Sequence, residues 1–305
     1  MPEPKFIYLP GYYCDIGEHV FRTEKYELLY ERMVEEGVVG ADDFVEPEPA
    51  SREQLELVHE PAYLDDLFSY RHTTRTISSE MPISKGIIEA FILGAGGSLL
   101  AARLAAQQET MTMNLAGGFH HAFPAKAEGF CYINDVAVAA ANALEEGVAE
   151  RILIVDCDLH QGNGTAYIFR GNPAVFTFSI HQENNYPLKR QSDCDTGLDD
   201  YCSGEGYLQA LEANVIPAFE NHDPDLVFYV AGADPYEKDQ LGSLMLSIKD
   251  LRQRDDLVLG ECSKRQLPVA VMLAGGYAPD LNDTVKIHYG TVCAVTENAG
   301  RLGEK

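Results

Sequence analysis

Apolar residues along this chain recur in two alternating rhythms. A helical period of three to four marks Thr23–Glu36, Ser51–Val58, Ile83–Gln107, Asp135–Glu146 and Gly206–Phe219. Short, nearly continuous apolar runs of strand type mark Phe6–Leu9, Met111–Leu115, Ile152–Val155, Ala174–Ser179, Leu226–Val230 and Val269–Leu273. From about residue 85 onward the two types alternate, which predicts an α/β fold with a mostly parallel sheet covered by helices on both faces. No internal repeat, low-complexity tract or linker divides the chain, so one domain over 1–305 is expected.

The polar residues are as patterned as the apolar ones. Five strand runs lead directly into glycine and ionisable side chains: Gly117-Gly118-Phe119-His120-His121, Asp156-Cys157-Asp158-Leu159-His160, Ile180-His181, Gly232-Ala233-Asp234 and Gly275-Gly276-Tyr277. Ligands of open α/β sheets bind beyond the carboxyl ends of the strands. The five ends therefore point to one shared site.

Composition narrows what that site serves. Lys plus Arg is 23 and Asp plus Glu is 48, a formal charge of −25, which argues against nucleic acid and against an anionic membrane surface. It is compatible with a cationic substrate, though an acidic surface that confers solubility accounts better for most of the charge. The seven cysteines form no CxxC pair and their number is odd. A disulfide framework and a cysteine zinc site are both disfavoured, and a reducing, cytoplasmic location is expected. The N-terminal stretch Met1–Lys5 lacks the shape of a signal peptide, and no uninterrupted apolar run reaches membrane-spanning length.

The acidic cluster is the most informative of the strand ends. Strand alternation places Asp156, Asp158 and His160 on one face, and two carboxylates with an imidazole are expensive to bury without a compensating cation. Asp158 and His160 can reach one ion, and Asp234 is the best third ligand. One histidine with two carboxylates leaves an open position, as catalytic sites do, and suits zinc, ferrous iron or manganese. A buried Asp–His hydrogen-bonded pair without an ion satisfies the same spacing. His120 and His121 supply a general base and a general acid, with Asp156 and Asn163 as orienting partners. Two loop histidines bonded to backbone carbonyls are the simpler alternative. Tyr277 is a phenolic donor suited to an oxyanion. Phe130, after Gly129, and Tyr186 are candidate walls of a narrow apolar channel.

Taken together, GGFHHA (117–122), GFCYINDVAVA (129–139), VDCDLHQGNGT (155–165), SIH (179–181), AGAD (231–234) and AGGY (274–277) closely resemble the histone deacetylase family of the arginase/deacetylase fold. The order and spacing match over nearly the whole chain. Gly232–Gly242 and His160-Gln161-Gly162-Asn163, with Asn where class I proteins carry Asp, look most like class IV and its bacterial relatives. The resemblance implies a single-domain, three-layer α/β/α fold and a zinc-dependent amidohydrolase acting on N-acyl-lysine, with ferrous iron as an alternative metal. It implies Asp158, His160 and Asp234 as metal ligands, and His120 and His121 as the acid/base pair, backed by Asp156 and Asn163. Tyr277 would polarise the acyl carbonyl, and Gly129, Phe130, Tyr186, Gly275 and Gly276 would border the substrate channel. A structural potassium ion is implied near Asp156, Asp158, His160, Ser179 and Ile180. The expected partner is an acyl-lysine protein or a small cationic acyl-amine. Acetylpolyamine hydrolysis, long-chain lysine deacylation and noncatalytic acyl-lysine binding are the alternatives. The loop Arg71–Pro82 offers no clear counterpart to the rim aspartate of class I enzymes.

Overall fold

The computed structural model describes residues 3–40 and 44–302; Met1 and Pro2, at the start of the N-terminal stretch read above, lie outside them. Seven strands form one sheet: β1 (Lys5–Ile7), β2 (Met111–Asn114), β3 (Ile152–Asp156), β4 (Val175–Gln182), β5 (Cys194–Leu198), β6 (Leu226–Val230) and β7 (Val269–Met272). Their order is β1-β2-β7-β6-β3-β4-β5, and every neighbouring pair is parallel. All the strand carboxyl ends therefore open on the same edge. The inner strands β2, β3, β6 and β7 are buried along their whole length, as the unbroken apolar runs require.

Helices cover both faces. On one side α4 (Lys85–Gln108) packs against β1, β2 and β7 and against α5 (Asp135–Glu145), while α6 (Asn163–Phe169) packs on β4. On the other, α9 (Leu281–Ala299) packs on β2 and α7 (Gly204–His222) on β3, β4 and β5, with α8 (Ile248–Arg265) and α1 (Glu24–Glu35) alongside. This is the expected three-layer α/β/α arrangement. Two shorter helices, α2 (Arg52–Glu56) and α3 (Pro61–Phe68), precede α4. By length and composition α4 could cross a membrane, but most of it is buried inside the protein.

Sequence and structure diverge where the inner face is polar. Helix α8 was not foreseen because its buried stripe runs through Leu251, Arg254, Asp255, Val258 and Leu259, so two charges interrupt the apolar period. In α9 the buried Thr284, His288, Thr291 and Asn298 do the same. Strand β5 alternates at a sheet edge with only Leu198 buried. Helices α3 and α6 are too short for a persuasive period.

Candidate active site

The sheet register brings the acidic cluster together. Asp156, the last residue of β3, pairs with Val230 of β6 and with Ser179 of β4. Beyond Asp156 the chain leaves the sheet, so the strand alternation expected through His160 stops there. Asp158 and His160 converge on Asp234 through the loop instead. His160 Nδ1 lies 3.2 Å from Asp158 Oδ1 and 3.1 Å from Asp234 Oδ2, and one donor atom from each residue falls within 4.8 Å of the others. All three side chains are buried.

Backbone N–H groups fix the carboxylates. Gly275 donates to Asp158 Oδ2 at 2.9 Å, His160 to Asp158 Oδ1 at 2.9 Å and Leu159 to Asp234 Oδ1 at 2.9 Å. A Cβ on Gly232 would stand 2.5 Å from Asp158 Oδ2 and 2.7 Å from Asp234 Oδ1, so glycine there leaves the space between the two carboxylates clear. Burial and the neighbouring Asp158 push the Asp234 carboxyl up to about 7. Burial alone would lower the His160 value, but hydrogen bonds to Asp158 and Asp234 raise it to about 10. A proton between two carboxylates thus stands where a cation would sit. The donor set, two carboxylates and one imidazole nitrogen, fits a divalent metal.

The histidine pair is built the same way, each ring held by a different partner. His120 donates from Nδ1 to Asp156 Oδ2 at 2.7 Å, and His121 from Nδ1 to Asn163 Oδ1 at 2.8 Å. The two Nε2 atoms lie 3.1 Å apart. Burial would depress His120, but the Asp156 and Asp158 carboxylates outweigh it and raise the value to about 9. His121 has no carboxylate partner; burial, with His120 and His160 nearby, holds it well below the ordinary value. One imidazole is therefore a proton donor and its neighbour a proton acceptor.

His121 and His160 open on a cavity of about 240 Å³ whose other walls are Glu80, Gly129, Phe130, Asn185, Tyr186, Leu241 and Tyr277. Gly129, Phe130 and Tyr186 are wall residues as expected. Gly275 and Gly276, expected beside them, sit behind the wall: Gly275 bonds to Asp158, and Gly276 packs on Thr284, Ala233 and His288. The Tyr277 ring leans on Phe21, Phe130 and His160, while its backbone N–H donates to Asp239 Oδ2 and its carbonyl accepts from Gln240. Among the described residues its hydrogen bonds are these two backbone ones, with none from the hydroxyl. Burial and the nearby Asp158 and Asp234 keep that hydroxyl protonated, its pKa well above the ordinary value.

Four contributions carry no signal in the sequence pattern. The loop Arg71–Pro82 does present an acid at the rim, Glu80, in a left-handed conformation (φ 61°) after a short 3₁₀ turn. Buried Asp66 pairs with Arg71 and Arg75 and so anchors that loop. Lys25, fully buried, donates to the Ala274 carbonyl at 2.7 Å; burial lowers it to about 8 despite the pull of Asp234 and Asp158. Arg254 Nη1 donates to the carbonyls of Cys157 and Gly232, neighbours of both ligand aspartates, and its guanidinium pairs with Asp255. Two buried cations thus offset part of the acidic charge.

A profile of the histone deacetylase domain matches residues 19–291. The chain belongs to the histone deacetylase family. It is 41% identical over 288 residues to an uncharacterized protein of Picosynechococcus, covering 92% of this chain and 95% of that one. It is 30% identical over 273 residues to the acetoin utilization protein AcuC of Bacillus subtilis, covering 81% and 70%. It is 28% identical over 271 residues to histone deacetylase 2 of Arabidopsis thaliana, covering 85% and 70%. The crystal structure of the HDA15 HD domain shares the fold, with a TM-score of 0.80 at 21% identity over 98% of this chain and 94% of that one.

Proposed function

We propose that this histone deacetylase-family hydrolase cleaves the amide of an N-acyl-lysine, with the cavity floor as its catalytic centre. The observation that carries the reading is that one cavity is lined by His160 of the Asp158–His160–Asp234 group, by His121 of the His120–His121 pair and by Tyr277. Asp158, His160 and Asp234 would hold the metal, zinc in this proposal with ferrous iron as the alternative. When bound, it supplies Lewis-acid polarisation of the acyl oxygen and acidification of water.

The protein's own groups carry the proton traffic. Nε2 of His121, with Nδ1–H tied to Asn163, offers a lone pair and accepts the proton of the attacking water. The water oxygen bonds to the acyl carbon, and the Tyr277 O–H donates to the oxyanion that develops. His120, kept cationic by Asp156, gives its proton to the leaving amine as the C–N bond breaks. The products are a free amine and a carboxylate. A structural potassium ion near Asp156, Asp158, His160, Ser179 and Ile180 belongs to the proposal, supported by the pairing of Asp156 with Ser179 in the sheet. So do the class IV affinity, from Gly232–Gly242 and Asn163, and a cytoplasmic location, from the unpaired cysteines.

The small cavity favours a short acyl group over a long chain. Glu80 at its rim favours a cationic substrate and so supports a second reading, an acylpolyamine. A panel of acetyl-lysine peptide, acetylspermidine and longer acyl-lysine peptides, assayed with zinc- and iron-loaded protein, separates these readings. The proposal predicts the highest turnover on acetyl-lysine peptide and fails if no panel member is hydrolysed.

A further inference from the structure

Both orienting partners of the histidine pair are polar, but only one bears charge, and a neutral amide does not by itself choose which end it shows to an imidazole. Here two further groups make the choice, a carboxylate on the nitrogen and a backbone N–H on the oxygen. Asn163 Nδ2 donates to Glu128 Oε1 at 2.7 Å, while Asn163 Oδ1 accepts from His121 Nδ1 and from the Gly164 N–H at 3.0 Å. A carboxylate only accepts. Were the Asn163 amide reversed, its oxygen would face the Glu128 oxygen and its NH₂ would face the His121 Nδ1–H. Glu128 is well placed to enforce this orientation. Its side chain is 14% exposed, its other oxygen pairs with Lys126, and its backbone is fixed by reciprocal bonds with Cys131.

We infer that Glu128 is a positioning residue that sets the tautomer of His121 through the Asn163 amide, holding the proton on Nδ1 and the lone pair on Nε2, toward the cavity. The carboxylate missing beside His121 is present one hydrogen bond further out. The next residues, Gly129 and Phe130, form the cavity wall, and they are held to the rim loop by bonds from their N–H groups to the Ser78 and Ser79 carbonyls. The same short turn therefore places the channel wall and fixes the base. The catalytic consequence rests on the function proposed above; the tautomer does not.

The test compares Glu128→Ala and Glu128→Gln in full-length protein. Glutamine keeps an acceptor for Asn163 Nδ2 and should behave nearly as the parent. Alanine removes the acceptor that pins Nδ2 and leaves the amide to the Gly164 N–H, so the fixed orientation is weakened and kcat on acetyl-lysine peptide should fall about 10- to 100-fold with little change in KM, the scale typical of residues that orient a functional side chain. ¹⁵N spectra of histidine-labelled protein, with His121 assigned from a His121→Gln variant, should show Nδ1 protonated in the parent and in Glu128→Gln. In Glu128→Ala they should show a mixture of tautomers or the Nε2–H form. An unchanged Nδ1–H tautomer in folded Glu128→Ala overturns the inference, as does an equal shift in Glu128→Gln. A parent that hydrolyses no acyl-amine while its tautomer still responds to Glu128→Ala refutes the proposed function and leaves this inference standing.

Discussion

Replacing Tyr277 with Phe removes one oxygen and little else. The ring should stay in place, because it packs on Phe21, Phe130 and His160 and because Asp239 and Gln240 hold the residue by its backbone. The lost hydroxyl bonds to no group among the described residues, so no buried partner is orphaned and the thermal midpoint should hold or rise slightly. On the proposed mechanism, what disappears is a neutral donor to the developing oxyanion. One such donor is worth about 2.7–4 kcal/mol, or roughly 10²–10³ in kcat. Because the interaction strengthens in the transition state, the loss should appear in kcat rather than in KM. Steady-state hydrolysis of an acetyl-lysine peptide, alongside metal content and a melting curve, measures all three. A Tyr277→Phe protein that keeps its metal and turns over within about threefold of the parent would refute the oxyanion role.

Two further predictions concern the surrounding frame. His59 is buried; Nδ1–H donates to the Phe123 carbonyl and Nε2 accepts from the Asn134 N–H, so there is no room for a second proton. Burial lowers its value from 6.5 to about 4. The unfolded chain therefore takes up this proton first, and stability that is complete above pH 6.5 falls by about 3 kcal/mol as pH drops toward 4. Urea unfolding across that window should show the loss and His59→Gln should flatten it; an equal slope in both proteins would contradict it. Replacing Arg254 with Met strips the cation from buried Asp255 and the donor from the Cys157 and Gly232 carbonyls. Stability should fall by about 3–5 kcal/mol. Unfolding curves measure the loss, and an Arg254→Met protein as stable as the parent would contradict it.

How much of this was legible in the sequence follows from the chemistry of each element. The inner strands were readable because parallel strands buried on both faces need unbroken apolar runs, as Leu226–Val230 illustrates. The Asp158–His160–Asp234 group and the His120–His121 pair were readable because ionisable residues at strand ends stand out against those runs. The supporting residues were not. Arg254 and Asp255 look like surface charges of a polar segment, and only the fold shows them to be buried. Lys25 lies 249 residues from the carbonyl it bonds. Glu80 reaches the rim through a left-handed turn in a loop with no period to read, and Glu128 matters only through the amide it orients.

The buried Asp158–His160–Asp234 group is proposed above as the metal centre for amide hydrolysis. Its most direct test is acetyl-lysine peptide hydrolysis by metal-stripped protein titrated with zinc. Activity should be absent at the start, rise linearly and saturate at one ion per chain, and Asp234→Asn protein should neither retain the ion nor recover turnover. Full activity in the stripped protein, or a tightly bound stoichiometric ion with no hydrolysis of any acyl-amine, would contradict the account.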